Sequence, residues 1–475
     1  MENRLFLGVD LGTSSIKLLL ADQNGRIVDS TSAAYPNSFP QPNWSEQDPS
    51  DWWNGFCSCL STLGKRNDLN RIEALSFSGQ MHGLVILDEK DEIIRPAILW
   101  NDGRTTEECL ILNKLPVVEW TGNIALTGFT APKLLWMKKH EPQNFSRISK
   151  ILLPKDYLVY RLSGVFATDV SDASGTLCFD VQKGCWSQPM LDVLGIREEQ
   201  LPEIHESVDV IGTVRADVGL SLDTKVVMGG GDQAMGALGT GTVSDGQVSI
   251  SLGTSGVLFI NSENFPEENR GRLHAFRNAN GQFHLMGVTL CCAGSTKWWV
   301  EDVLGQTDYD SLFEGIAALP INDLIFLPYL MGERSPINDP SAKGILYGLN
   351  ASFRQKQMTK AVVEGVCLSL LDCLKTANEC GIYPKSARVI GGGAKSPEWL
   401  QILSDVTGLT LHTIQTTEGG VLGAIILSMV ACGHFASISE ACKALIHEDR
   451  IYSPDPVRTL AYTEKYQKYK AINYS

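Results

Sequence analysis

At 475 residues the chain is too long for a single hydrophobic core, so two domains of about 200 residues or more are expected. With 43% apolar and 20% charged residues the composition is that of a soluble globular protein, and a formal net charge of −14 disfavours nucleic acid as a partner and leaves no basic face for an anionic membrane. No apolar run reaches the ~18–20 residues of a membrane span, the opening MENRLFLGVDLG turns into a strand too early for a secretory signal, and the twelve cysteines show neither a C-x-x-C pair nor zinc-ligand spacing. Free thiols in a reducing cytosol, and so a cytoplasmic protein, are expected.

The chain starts as strand, turn, strand, turn, strand. LFLGVD leads into GTSS, then IKLLLAD, the hairpin signal Asn24-Gly25 and RIVDS. Pro49–Lys65 reads as a helix capped by Asp48 or Ser50, with Trp52, Phe56, Cys59 and Leu60 on one face. Strands return over Ile72–Ile94 around a tight loop at Ser78–Gly83, and APKLLWMKKHEP is a short helix that ends before Pro142. Strands alternating with helices predict a layered α/β fold.

Near residue 245 the pattern restarts. Gln247–Glu263, QVSISLGTSGVLFINSE, repeats the opening strand-turn-strand, and Leu252-Gly253-Thr254-Ser255 matches Leu11-Gly12-Thr13-Ser14 about half a chain away. That predicts two similarly built domains with a boundary near Ser244–Gln247. Helices are expected around Gly294–Leu304 and Gln355–Ala377, then strand, glycine loop and helix over Ser386–Gly408. Pro456–Tyr474 reads as a terminal helix packed back on the first domain.

Three glycine loops come after predicted strands: Gly12-Thr13-Ser14, Gly253-Thr254-Ser255-Gly256 and Gly391-Gly392-Gly393-Ala394. Glycines let backbone N–H groups approach an anion, and hydroxyls add donors. Ser396 could cap the helix after the third loop. Together the loops suggest a nucleotide held by both domains, although each alone is also what a plain hairpin turn would show. Gly229–Ala234, GGGDQA, fits a G-x-G-x-x-A turn. The chain beyond it runs into the second Gly-Thr-Ser corner rather than a βαβ unit, which argues against a dinucleotide site. No G-x-x-x-x-G-K-[ST] loop occurs.

Two carboxylates stand out. Asp232 comes directly after three glycines at a strand-to-helix turn, as a helix cap or as a base facing a cleft. Asp10 ends an apolar strand, where an unpaired carboxylate is costly. A phosphate-bound Mg²⁺ would justify it, and so would hydrogen bonds to the Gly12–Ser14 amides. Its counterpart in the repeat is Ser251.

As an ordered set, these stretches resemble the FGGY carbohydrate kinases of the sugar kinase, chaperone and actin ATPase superfamily. The resemblance runs from about Leu5 to about Ser428. It is carried by VDLGTSS (Val9–Ser15), NWSEQDP (Asn43–Pro49), SGQMHG (Ser78–Gly83), RPAILWNDGR (Arg95–Arg104), TGFTAPKLLW (Thr127–Trp136) and LLPKDYL (Leu152–Leu158). GGGDQAMGA (Gly229–Ala237), SLGTSG (Ser251–Gly256), LPYLMGERSP (Leu327–Pro336) and GGGAKSPEW (Gly391–Trp399) continue it.

The resemblance implies an α/β fold of two similar ribonuclease H-like, actin-like ATPase domains with a cleft between them. Residues 1–245 would form the sugar side and 246–475 the nucleotide side. It implies Asp232 as the proton acceptor for a sugar hydroxyl and Asp10 as the acid acting through Mg²⁺ at the phosphates. Met81, His82 and Trp100 are implied at the sugar, Gly12, Thr13, Gly253 and Thr254 at the phosphates, and Gly392, Gly393 and Ala394 at the adenosine. Gln233 falls where the family uses Asn or Gln. ATP, Mg²⁺ and D-xylulose are the implied ligands, with gluconate, glycerol and L-ribulose as alternative sugars and a homodimer as the implied assembly. A non-catalytic actin-like ATPase or sugar sensor is the competing class, against which both acids and the sugar-loop motifs speak.

Overall fold

The computed structural model describes residues 4–415 and 418–473. In the first part of the chain β1 (Leu5–Leu11), β2 (Ser15–Asp22) and β3 (Ile27–Ala34) form an antiparallel meander. Helix α1 (Pro49–Gly64) comes next, with Asp48 as its cap accepting from the Ser50 N–H and Pro49 in the first turn. Its buried face is Trp52, Phe56, Cys59, Leu60 and Leu63, the expected face and one residue more. β4 (Ile72–Gly79) then lies parallel to β1. After α2 (Thr130–His140), α3 (Pro154–Ser163) and α4 (Val170–Ser174) come β5 (Val210–Thr213), β6 (Lys225–Val227), the two-residue β7 (Gly230–Gly231) and α5 (Asp232–Thr240). The sheet order is β5-β6-β4-β1-β2-β3, with β7 pairing alongside β4.

The second part rebuilds this design. β8 (Val248–Leu252) pairs antiparallel with β9 (Gly256–Ser262), which neighbours β10 (Phe283–Thr289). The 25-residue α6 (Gln355–Glu379) leads to β11 (Ser386–Ile390), parallel to β8; α7 (Pro397–Thr407) leads to β12 (Thr410–Ile414), parallel to β11. Next comes α8 (Gly419–Ala431), then β13 (Glu448–Tyr452), antiparallel to β12, and finally α9 (Pro456–Asn473). Outward from β1 through β4 and from β8 through β11, the same run of two parallel neighbours and then an antiparallel one recurs. The expected helix around 294–304 is a short α-helical turn, Ala293–Lys297, continued by a wider π-type turn, Trp298–Val303.

The chain separates into two compact units, and neither is continuous. One comprises Met1–Val243, Ala275–Phe283 and Glu418–Ile446, the other Ser244–His274, His284–Thr417 and His447–Ser475. Two sequence expectations change. The returning segment is 418–446, whose helix α8 covers the back of β1: a Cβ on Gly8 would stand 2.4 Å from the Val421 carbonyl oxygen, so only glycine allows that approach. The terminal helix instead completes the second unit. Its tyrosines at 462, 466 and 469 share a face, and all three are buried. Tyr462 donates to Glu364 Oε1 at 2.7 Å, Lys465 donates to Glu364 Oε2, Tyr466 donates to Asp372 Oδ1, and the Tyr469 and Tyr329 hydroxyls are 2.6 Å apart. These polar tips on an aromatic face match α6, and that pairing decides where α9 docks. Tyr474, which the expected helix also included, lies outside the described residues.

In the first unit β1 is buried on both faces. Leu7, Val9 and Leu11 meet Trp52, Phe56 and Leu60 on one side, while Phe6 on the other joins Val421 and Ile425. All twelve cysteines are free. Among the described residues, no helix is long and apolar enough to cross a membrane.

Candidate active site

In the first unit, the predicted residues collect where β1, β4 and β7 end. Asp10 is the penultimate residue of β1 and stands in register with Ser78 of β4 and Lys17 of β2. Burial pushes its carboxyl up, the neighbouring Ser78 hydroxyl opposes this, and the charge of Glu418 adds to the rise. Glu418 itself pairs with Lys17 at 2.6 Å. The start of α8 closes in on Asp10: a Cβ on Gly420 would lie 3.1 Å from its Oδ1. The Gly12 N–H donates to the Ser15 carbonyl at 3.0 Å rather than to Asp10, and the Gly12 carbonyl accepts the Tyr35 hydroxyl.

Asp232 is the first residue of α5, and Gly231 occupies the cap position. Its carboxylate is therefore not the helix cap; Oδ1 accepts from Gln233 Nε2 at 3.3 Å. Its pKa is pushed up to about 7, by burial first and by the charge of Asp10 second. The turn before it tolerates nothing but glycine. Gly229 has φ +73°, and a Cβ there would meet the Phe77 carbonyl oxygen at 2.0 Å; a Cβ on Gly231 would meet Met81 Sδ at 2.9 Å. Met81, 4% exposed, thus rests against the residue next to Asp232.

His82 adopts a left-handed backbone, φ +68°. Three bonds offset that strain. Its carbonyl accepts from Thr130 Oγ1 at 3.1 Å and from Lys133 Nζ at 2.8 Å, and its Nδ1 lies 2.7 Å from the Gly175 carbonyl, which assigns the ring proton to Nδ1. Its ring packs on Phe129, with centroids 4.9 Å apart. Lys133 also donates to the Gly128 carbonyl, and burial pushes its ammonium down to about 7. Trp100, 37% exposed, donates from Nε1 to Thr13 Oγ1 at 3.0 Å. Asp102 is buried against Arg104, which stacks over Trp44.

In the second unit the other corner is braced differently. The Ala293 N–H donates to the Gly253 carbonyl at 2.8 Å, and the Cys292 and Gly294 N–H groups donate to the Thr254 carbonyl at 2.9 and 3.1 Å. Thr254, Gly294, Lys297, Gly392, Gly393 and Trp399 line a cavity of about 330 Å³. Gly391, φ +93°, makes the turn into it. Ser396 caps α7, its Oγ accepting from the Trp399 N–H at 3.3 Å. Gly253 and Ala394 sit in the two turns, but neither is among the residues lining the cavity.

Sequence reasoning passed over Gln47, whose amide donates to the Thr13 carbonyl at 2.6 Å and whose Oε1 accepts from Trp52 and Gln80. It also passed over Lys133, Tyr35 and Glu418. Gln47 and Lys133 lie inside the motif stretches that carry the family resemblance; a polar residue amid apolar neighbours was the available signal for Lys133, whereas Gln47 sits between Glu46 and Asp48 with no such signal.

Two sheets of one design, each carrying a Gly-Thr corner, define the actin-like ATPase fold. Comparison with known proteins narrows the class. The family described as FGGY carbohydrate kinases, N-terminal domain, matches residues 5–239, and its C-terminal domain matches residues 248–432. A xylulose kinase from Escherichia coli is 40% identical over 480 residues, spanning 98% of this chain and 98% of that one. A xylulose kinase structure from Brucella ovis superposes with a TM-score of 0.94 at 35% identity, covering 99% of this chain and 98% of the other. A gluconate kinase from Lactobacillus acidophilus superposes at 0.93 with 27% identity, covering 100% and 98%. The chain belongs to the FGGY family of carbohydrate kinases. It is a sugar kinase, and that family implies ATP as its phosphoryl donor.

Proposed function

We propose that the protein transfers the γ-phosphoryl group of ATP to the C5 hydroxyl of D-xylulose, giving ADP and D-xylulose 5-phosphate, with Asp232 as the base. The choice of sugar is supported by the names of the E. coli and B. ovis kinases. The chemistry is carried by one observation: a half-buried carboxyl at the head of α5, pushed up to about 7 and directly following the glycine that Met81 packs on. A carboxylate does not ionise an alcohol in advance. It accepts the proton late, as the hydroxyl oxygen bonds to phosphorus and ADP leaves, because the transition state is loose and catalysis is mainly alignment.

The other residues divide between sugar and nucleotide. Met81, His82 and Trp100 hold the sugar, and the pinned carbonyl and fixed tautomer of His82 give it one orientation. Gly12 and Thr13, with Gly253 and Thr254, take the phosphates. Gly392, Gly393 and Ala394 take the adenosine side, where the cavity in the second unit offers room. Mg²⁺ held with the ATP phosphates would fit the residues present: Asp10 would hold it, and the cation would offset the burial that raises that carboxyl. When bound, the ion neutralises phosphate charge.

The test is ADP release with Mg-ATP and D-xylulose, gluconate, glycerol or L-ribulose. Strong release with D-xylulose supports the reading. Preference for gluconate, the substrate named for the L. acidophilus structure, overturns the sugar while keeping the chemistry. Release without sugar overturns both.

A further inference from the structure

A polar cluster sealed from solvent lies behind the glycine turn that precedes Asp232. Lys155, Asp156, Asp169, Ser171 and Asp172 are all 0% exposed. The Lys155 ammonium stands 2.6 Å from Asp156, 3.2 Å from Asp169 and 3.8 Å from Asp172. Three carboxyls surround one ammonium. Burial drives the Asp172 carboxyl far up, against the pull of Lys155. Such a group costs stability unless its geometry serves something.

One chain of bonds leads from it to the turn. Asp169 Oδ2 accepts from the Ser171 hydroxyl, from the Ser171 N–H at 2.8 Å and from the Ser207 hydroxyl at 2.7 Å. With its hydrogen committed to a carboxylate, Ser171 Oγ is a strengthened acceptor. It accepts the Gly231 N–H at 3.1 Å. A Cβ on Gly230 would stand 2.7 Å from the same Oγ, and one on Gly231 would stand 2.8 Å from Met81 Cγ. The turn is gripped between a hydroxyl and a thioether, one residue before Asp232.

We propose that Ser171, oriented by Asp169 and Lys155, is a positioning residue for Asp232: by holding the Gly231 N–H it sets the direction in which the carboxylate leaves α5. This rests on Asp232 being the base. Ser207 is the internal control. Its hydroxyl donates to the same Asp169 oxygen, whereas the bond to the Gly231 N–H belongs to Ser171.

The experiment compares steady-state kinetics and thermal melting of Ser171→Ala, Ser207→Ala and Asp232→Asn. A displaced catalytic group costs rate rather than binding, so Ser171→Ala is expected to lose about 10-fold in kcat with sugar KM changed less than about 2-fold. Ser207→Ala is expected to keep its kcat while melting as early as Ser171→Ala. Should Ser171→Ala be too unstable to assay, Ser171→Cys fills the space with a poor acceptor and is expected to show the same selective loss. Wild-type kcat in the Ser171 variants, or equal losses of kcat in both serine variants, overturns the positioning role while an inactive Asp232→Asn leaves the base standing. An active Asp232→Asn overturns the base and the positioning role with it.

Discussion

The two Gly-Thr-Ser corners have one backbone and two environments. The first is crowded by side chains: Tyr35 on Gly12, Gln47 and Trp100 on Thr13, and Asp10 two residues upstream. The second is braced through the backbone N–H groups of Cys292, Ala293 and Gly294, and has Ser251 where the first has Asp10. Side-chain bracing places specific chemistry, whereas backbone bracing leaves a smooth wall, and here that wall borders a cavity of about 330 Å³. A carboxylate at 251 as well as at 10 would repel phosphates without adding a needed ligand.

The sharpest break of that asymmetry is at the acids. Asp232→Asn is expected to lower kcat by about 10³-fold with sugar binding retained, measured by ADP release and by sugar titration. Near-wild-type turnover would remove the base from the first unit. The same variant reports on strain. A carboxyl near 7 in the folded protein and near 4 unfolded binds its proton more tightly when folded, so wild-type stability falls as pH rises from about 4 through about 7. Asp232→Asn should therefore out-melt wild type at pH 8 by about 2–4 kcal/mol, with most of that difference gone at pH 4. An equal gain at both pH values would contradict the burial argument.

Ser251→Asp tests the corners directly by giving the second the first's carboxylate. Its ATP KM is expected to rise about 10-fold, as like charge against phosphate predicts, with sugar KM unchanged; an unaltered ATP KM would detach that corner from the nucleotide. His82→Ala should raise sugar KM by about 10-fold while ATP KM stays within about 2-fold, and equal shifts would count against a sugar contact. The smallest effect belongs to Trp100→Phe, which deletes the 3.0 Å bond to Thr13. One net hydrogen bond, about 1 kcal/mol, corresponds to about a 5-fold change in kcat/KM.

The repeat was legible because it is local: apolar strand, glycine turn, apolar strand, with Asp48 and Pro49 announcing α1. The glycines around Asp232 were legible for the same reason. What escaped reading joins positions hundreds of residues apart. Nothing near Gly419 or Gly420 announces that α8 belongs against β1, since the demand for a bare backbone is split between Gly8 and Val421. The face of α9 was visible, but not its partner, because an aromatic stripe with polar tips fits any surface offering acceptors, and Glu364 and Asp372 sit unmarked in a long helix. Lys133 and Lys155 carry no role readable from sequence; their burial against carbonyls and carboxylates is what marks them.

The interrupted course of the chain bears on its synthesis. The first unit is not finished when residue 243 leaves the ribosome, because Phe6 and its neighbours on the back of the first sheet stay bare until Val421 and Ile425 have been made. An apolar sheet face must wait for most of the message to be read. A nascent chain stalled anywhere in the second half is therefore a natural client for chaperones, and a gene cut at the midpoint would encode a first half without its wall and a second half carrying that wall without its sheet.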